Sequence, residues 1–301
     1  MPRKRKGNPV HGWVVLDKPY GLGSTKAVGK TRWLFQAQKA GHAGTLDPLA
    51  TGILPIALGE ATKTVPFMMD AAKSYEFEIT WGANTTTQDV EGEITLTSDV
   101  RPKKEDIQNA LSQFFGEIEQ VPPKFSAIKV NGKRAYDLAR GGETVELKSR
   151  IVQVDRFELI RCDENTAYFA VDCGKGTYIR SLARDLAATL DTCGHVTVLR
   201  RTKVGPFRLE QSITLEDLEQ ICNRDAAEEA LFPLSTALDD IPVLAVLDQD
   251  ARNLRQGRAI DCTSSDIIHS DDWVLAKEGQ QEVALCEMRG GQLWPKRVFV
   301  M

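Results

Sequence analysis

The spacing of apolar residues divides the chain into short strands and amphipathic helices. Gly12 to Asp17 (GWVVLD) is an apolar run of strand length, stopped by Lys18-Pro19 and a glycine-rich turn, YGLGS. A helix is expected from about Thr25 to Ala37, capped by Ser24 or Thr25. Ser74 to Gly82 (SYEFEITWG) alternates strictly and sets Tyr75, Phe77, Ile79 and Trp81 on one face of a half-buried strand. Asp89 to Ile94 reads as its continuation. Pro102 to Phe115 spaces Ile107, Leu111, Phe114 and Phe115 as the inner stripe of a surface helix. Arg150 to Ile160 and Ala167 to Cys173 alternate again, and Thr177 to Leu190 turns helical with Ile179, Leu182 and Leu186 as its buried face.

Strands and helices in this order do not alternate regularly. That predicts an α+β fold, a mixed and mainly antiparallel sheet flanked by helices, rather than a doubly wound parallel one. Ser212 to Asp240 is acidic and helix-forming (TLEDLEQ, DAAEEALF), and a boundary is expected near its end. The remainder holds a short helix, ARNLRQG, and turn-separated strands (WVLAKEG, VALCEMRGGQLWPKRVFV), the pattern of a small β-rich module. Two domains, 1–240 and 241–301, also suit a chain of 301 residues.

Composition narrows the class. A hydrophobic fraction of 42% and a charged fraction of 27% are those of an ordinary globular protein. No apolar run nears the roughly 20 residues that cross a bilayer, and the basic start MPRKRKG precedes too short and too polar a stretch for a signal peptide, so a cytoplasmic protein without membrane contact is expected. The six cysteines never come closer than eleven positions, and the four histidines form no HxxxH or HxH pair, which speaks for reduced thiols and against a metal site. GLGSTK fits neither phosphate-loop spacing, so no nucleotide cofactor is expected.

Charge is unevenly spread. The net charge is −4, yet residues 1–210 carry +5, with −7 in 211–240 and −2 in 241–301. The basic excess concentrates in Pro2 to Lys6, in Lys124 to Arg140 (KFSAIKVNGKRAYDLAR) and in Arg200 to Arg208 (RRTKVGPFR). Such clusters suit a phosphate backbone, and equally a solvated surface.

One carboxylate stands apart. In GHAGTLDPLATGILPIALGEATK, residues 41–63, Asp47 sits among small and apolar residues. Pro48 pushes the preceding backbone to an extended form, so the loop is rigid, and Gly41, Gly44 and Gly52 permit positive φ or close approach of another backbone. An Asx turn or helix cap would use this aspartate as readily as a ligand site. A second stretch, CGKGTYIRSLARDL (Cys173 to Leu186), places Arg180 and Arg184 on one helix face. One of them could pair with Asp47 and keep it ionised in a charge-poor pocket, as a nucleophile or base. Arg184 beside Asp185 also fits an ordinary helix-surface charge.

These motifs, with LDKP near the start and KSYEF between them, resemble the TruB family of bacterial tRNA pseudouridine synthases over about residues 11–210, and the tail resembles the small PUA domain that follows in that family. The resemblance implies isomerisation of the uridine at position 55, in the TΨC loop of tRNA, to pseudouridine, without a cofactor. It implies Asp47 as the catalytic aspartate, Arg180 as its ion-pair partner and Tyr75 stacked on the target base near C5. Tyr178 would line the pocket and Leu199 pack beside it, while His42 would fill the gap left by a flipped base. Lys18 and Lys63 would support the site or the RNA backbone. An RNA-binding insertion is expected at about 121–150, poorly ordered without RNA. The tRNA T arm is the implied partner, with no obligatory protein partner and a monomeric chain. One departure is Gly23, where the family commonly has threonine. Rival readings are an RNA-folding protein that needs no pocket, a nucleoside or glycoside hydrolase, for which a second carboxylate is missing, and a relative working in a guide-RNA particle.

Overall fold

A computed structural model describes residues 7–126, 128–130, 132–141, 147–224, 226–262 and 273–301. The basic start, Pro2 to Lys6, lies outside these residues, as do Ala127 and Asn131 of the run Lys124 to Arg140, so the expected order of the insertion is not tested. Contacts divide the chain into two compact units. The first comprises Met1–Asp47, Leu54–Met69 and Gly205–Met301, the second Pro48–Ile53 and Asp70–Val204.

From the N-terminus the elements are β1 (Gly12–Lys18), α1 (Ser24–Leu34), β2 (Ala40–His42), β3 (Thr51–Leu58) and α2 (Val65–Asp70). β1 is the expected apolar strand, with Trp13 to Leu16 wholly buried. α1 stops three residues before its expected end. Gln36 turns left-handed at φ 48° and the Ala37 N–H reaches the Arg32 carbonyl, a turn that satisfies the last carbonyls and ends the helix.

The second unit contributes β4 (Lys73–Trp81), β5 (Ala83–Thr85), β6 (Ile94–Thr97), α3 (Lys104–Leu111), β7 (Gly116–Gln120), β8 (Lys129–Val130), β9 (Lys133–Arg134), α4 (Ala135–Arg140), β10 (Arg150–Cys162), β11 (Thr166–Cys173), α5 (Ile179–Thr189) and β12 (Gly194–Val204). Its sheet runs β12-β4-β11-β10-β7, all antiparallel, and the start of β3 joins β12 in parallel through Thr51 and Gly52. The predicted mixed, mainly antiparallel sheet is therefore the one observed.

β4 shows why its sequence alternates: Tyr75, Phe77, Ile79 and Trp81 are all buried, and Phe77 stacks on Phe169 at 5.3 Å and lies 5.8 Å from Phe157. α5 buries Ile179, Leu182 and Leu186 as expected. Two expectations need correction. Asp89 to Ile94 is mostly turn, because Asp89 accepts the Glu91 N–H and the Thr87 hydroxyl and folds the chain back between β5 and β6. Phe115 is 48% exposed: α3 tightens into a single turn over Ser112–Phe114, which swings Phe115 off the buried stripe.

The last stretch returns to the first unit with β13 (Phe207–Arg208), α6 (Leu215–Asn223), β14 (Val243–Ala245), α7 (Asp248–Arg255), β15 (Ile260–Asp261), β16 (Trp273–Glu278), β17 (Gln281–Arg289) and β18 (Gln292–Val298). β14-β16-β17-β18-β15 form the expected small sheet around Val274, Ala276, Val283, Cys286 and Leu293, with Ala251 and Leu254 of α7 packed into it. Among the described residues no helix is long and apolar enough to span a membrane.

Candidate active site

In the first unit the local structure is built to hold the loop of Asp47 still. β2 pairs antiparallel with β3 and sets His42 opposite Ile56. The chain then leaves the sheet through Gly44 at φ 91° and reaches Leu46, which is 4% exposed. Ser24, equally buried, donates its hydroxyl to the Leu46 carbonyl at 2.8 Å and accepts the Leu46 N–H at 2.9 Å. One side chain from 22 positions upstream thus satisfies both backbone groups of the residue before the half-exposed Asp47. This corrects the capping expectation. Gly23 is the N-cap of α1 and no side chain caps it, because the Ser24 hydroxyl is committed to Leu46.

Lys18 anchors the turn that delivers Ser24. Its side chain is fully buried and donates to the carbonyls of Pro19 (2.9 Å) and Leu22 (2.8 Å). The motif LDKPYGLGS and the Asp47 loop are therefore one mechanical piece, and the described contacts of Lys18 are internal supports. Lys63 is likewise engaged within its unit, with the Glu60 carboxylate and with the Val298 carbonyl at 2.6 Å. Burial pushes the Glu60 carboxyl up, but the Lys63 hydrogen bond, the Val300 N–H and the charges of Lys63 and His11 together hold it below its ordinary value.

The second unit carries the other expected residues. Tyr75 on β4 is 8% exposed and stands in register with Val171 on β11 and Arg201 on β12. Leu199 lies opposite Phe77, and its carbonyl accepts the Thr51 hydroxyl at 3.5 Å. Gly52, at φ 95°, lies so close to the Arg201 backbone that a Cβ there would overlap it, the close approach its sequence context predicts. Arg201 is itself buried and donates to the Ile53 carbonyl at 2.7 Å.

Arg180 is 4% exposed on the first turn of α5. A buried guanidinium requires both charge and hydrogen-bond compensation. It donates to the carbonyls of Thr87 (2.7 Å) and Phe125 (2.9 Å), and the Asp89 carboxylate lies 3.6 Å away at 8% exposure. Arg184, four residues on, pairs with Asp185 at 2.7 Å and donates to the Val121 carbonyl, so its helix-surface reading fits. Tyr178, just before α5, is half-buried and lies 4.9 Å under the Arg150 guanidinium.

Comparison with known proteins bears on these motifs. The model of the TruB family pseudouridylate synthase N-terminal domain matches residues 32–179, and that of the tRNA pseudouridylate synthase B C-terminal domain matches residues 180–241. Proteins named tRNA pseudouridine synthase B from Caulobacter vibrioides and Rhizobium meliloti are 55% and 51% identical to it, over 99% of this chain and 99% and 98% of theirs. The chain belongs to the TruB family. Its fold is also that of solved relatives: it is 27% identical, with a TM-score of 0.74, to a chain in the crystal structure of a Cbf5-Nop10-Gar1 complex, covering 96% of this chain and 85% of that one. A chain of an H/ACA RNP bound to a substrate RNA containing 2'-deoxyuridine matches at 24% identity and a TM-score of 0.75.

Within this TruB-family chain, sequence reasoning missed Ser24 and Asp89 as partners of the predicted site residues. Ser24 looked like a cap because it opens a helix. Asp89 was hidden by the strand expectation, although TTTQDVEGE (85–93) is rich in turn formers and signals a fold-back. Gln120, which contacts the backbone of Tyr178, carried no signal in one sequence.

Proposed function

We propose that this chain isomerises the uridine at position 55 in the TΨC loop of tRNA to pseudouridine. The observation that carries the reading is identity above one half, over essentially the whole chain, to proteins named tRNA pseudouridine synthase B, in a chain whose Asp47 stands on a braced loop. The reaction breaks the N1–C1′ bond, turns the base, forms a C5–C1′ bond with loss of the C5 proton and leaves a proton on N1, so atoms and electrons balance without a cofactor. The target base leaves its stack, at a cost of a few kcal/mol, and His42 fills the gap. Asp47 acts on the freed or departing base or on the ribose, and Arg180 is the cation that the family pattern assigns to it. Tyr75 stacks on the base, where such contacts contribute about 1–3 kcal/mol, Tyr178 and Leu199 line the base, and Lys18 and Lys63 support the Asp47 loop or the RNA backbone. The protein works in the cytoplasm as a monomer without an obligatory protein partner.

The test uses unmodified tRNA transcript, purified protein and no added metal or nucleotide, followed by chemical mapping of pseudouridine. Modification of the TΨC-loop uridine by wild type, with at least a thousandfold loss in Asp47→Asn and retained tRNA binding, is the expected result, on the order of what removing an essential catalytic group costs. Equal modification by both proteins, or none by wild type, would remove the assignment.

A further inference from the structure

β7 and β10 pair antiparallel, and Gln120 and Arg150 form the last pair of that ladder. The chain leaves this ladder after Gln120 and re-enters it at Arg150, so this pair is the neck of the excursion that the sequence marks as basic. Both neck residues reach Tyr178. Gln120 is 1% exposed and uses its side-chain amide as a backbone would: Oε1 accepts the Tyr178 N–H at 2.8 Å and Nε2 donates to the Tyr178 carbonyl at 3.2 Å. Arg150 holds its guanidinium 4.9 Å from the centre of the Tyr178 ring and donates to the Gly176 carbonyl just upstream. The first residues of the excursion are then fastened to α5. The Val121 carbonyl accepts from Ser181 (2.9 Å) and Arg184 (3.1 Å), and the Phe125 carbonyl accepts from Arg180.

We propose that Gln120 and Arg150 are positioning residues for the pseudouridylation reaction: they couple the start of the excursion, Val121 to Phe125, to the orientation of Tyr178 and Arg180. The inference rests on the functional reading above. A glutamine fits this place because one planar amide both donates to and accepts from the same backbone unit, which fixes that unit in direction as well as distance. An arginine fits its partner position because it stacks on an aromatic face while hydrogen-bonding a carbonyl beside it. Three hydrogen bonds involving the neck and three involving Val121 and Phe125 tie the start of the excursion to residues 176–184, so that start cannot shift independently of the helix bearing Arg180. RNA that engages the excursion is therefore felt at the pocket without touching it.

The experiment measures single-turnover pseudouridine formation at saturating tRNA, beside tRNA affinity, for wild type, Gln120→Leu, Arg150→Met, Tyr178→Leu and the double variant Arg150→Met/Tyr178→Leu. Small misplacements of reacting groups cost up to about a hundredfold in rate. Gln120→Leu is expected to lose about tenfold and Arg150→Met about threefold in rate, with affinity changed less than about twofold, and the loss from Arg150→Met is expected to shrink once the Tyr178 ring is gone. If the buried change at Gln120 prevents folding, the Arg150 cycle decides alone. Unchanged rates in the soluble single variants, losses confined to affinity, or the same loss from Arg150→Met with and without Tyr178 would overturn the coupling while leaving the functional reading intact. A wild type that forms no pseudouridine would overturn the functional reading first.

Discussion

Ser24 commits both of its described hydrogen bonds to the backbone of the residue before Asp47. Its two buried hydrogen bonds to Leu46 are the described restraint nearest to Asp47 in the sequence. Leaving buried polar groups without partners costs about 1–3 kcal/mol, so Ser24→Ala should lose stability by that order in urea unfolding and lose isomerisation rate more than tRNA affinity. Asp47 stood out as a candidate because a lone carboxylate among glycines and a proline invites a chemical question. Ser24 and Asp89 were not, because the meaning of a serine or an aspartate lies in which distant carbonyl or guanidinium the fold brings to it. Lys73 gives a second residue-scale expectation. Burial, with the nearby charge of Arg201, lowers its ammonium to about 8 from 10.5. Between pH 8 and about 10.5 the unfolded chain holds a proton there that the folded chain has released, so stability rises with pH across that window and the penalty is complete below pH 8. Urea unfolding at several pH values should show this rise in wild type and a flatter profile in Lys73→Met.

At the scale of elements, β4 carries the second unit's sheet. It pairs with β12 on one side and β11 on the other, and Phe77 at its centre is fully buried against Phe157 and Phe169. Phe77→Ala should cost about 3–5 kcal/mol in chemical unfolding, the range for deleting a large buried ring. β4 was readable because a strand with one buried face writes its period into the sequence. α5 was readable through its three-to-four spacing for the same reason. The hairpin around Asp89 was misread since β6 is exposed at every position, so no alternation marks where it begins. The end of α1 was misread because a left-handed glutamine, not a glycine, terminates it.

For the whole molecule, the C-terminal module shares a compact unit with the N-terminal segments. Phe67 meets Trp273 edge-on at 5.3 Å, Lys63 binds the Val298 carbonyl, Glu60 takes the Val300 N–H and Lys277 reaches Ser235. Cutting the chain after Asp240 should therefore lower the melting temperature, by more than about 4 °C, before any effect on tRNA is considered. Calorimetry of the truncated and intact chains would show it, and a loss of affinity in the truncated chain has to be weighed against that. The order in which the ribosome delivers the chain has a further consequence. The second unit ends at Val204, whereas the first joins Met1–Asp47 to Gly205–Met301. Domains fold as they are synthesised, so the unit holding Tyr75 and Arg180 should become protease-resistant on the ribosome before the unit holding Asp47, which is completed by Gly205–Met301. During synthesis, then, Asp47 is among the earliest residues made, yet the compact unit to which it belongs is completed only by the last residues of the chain.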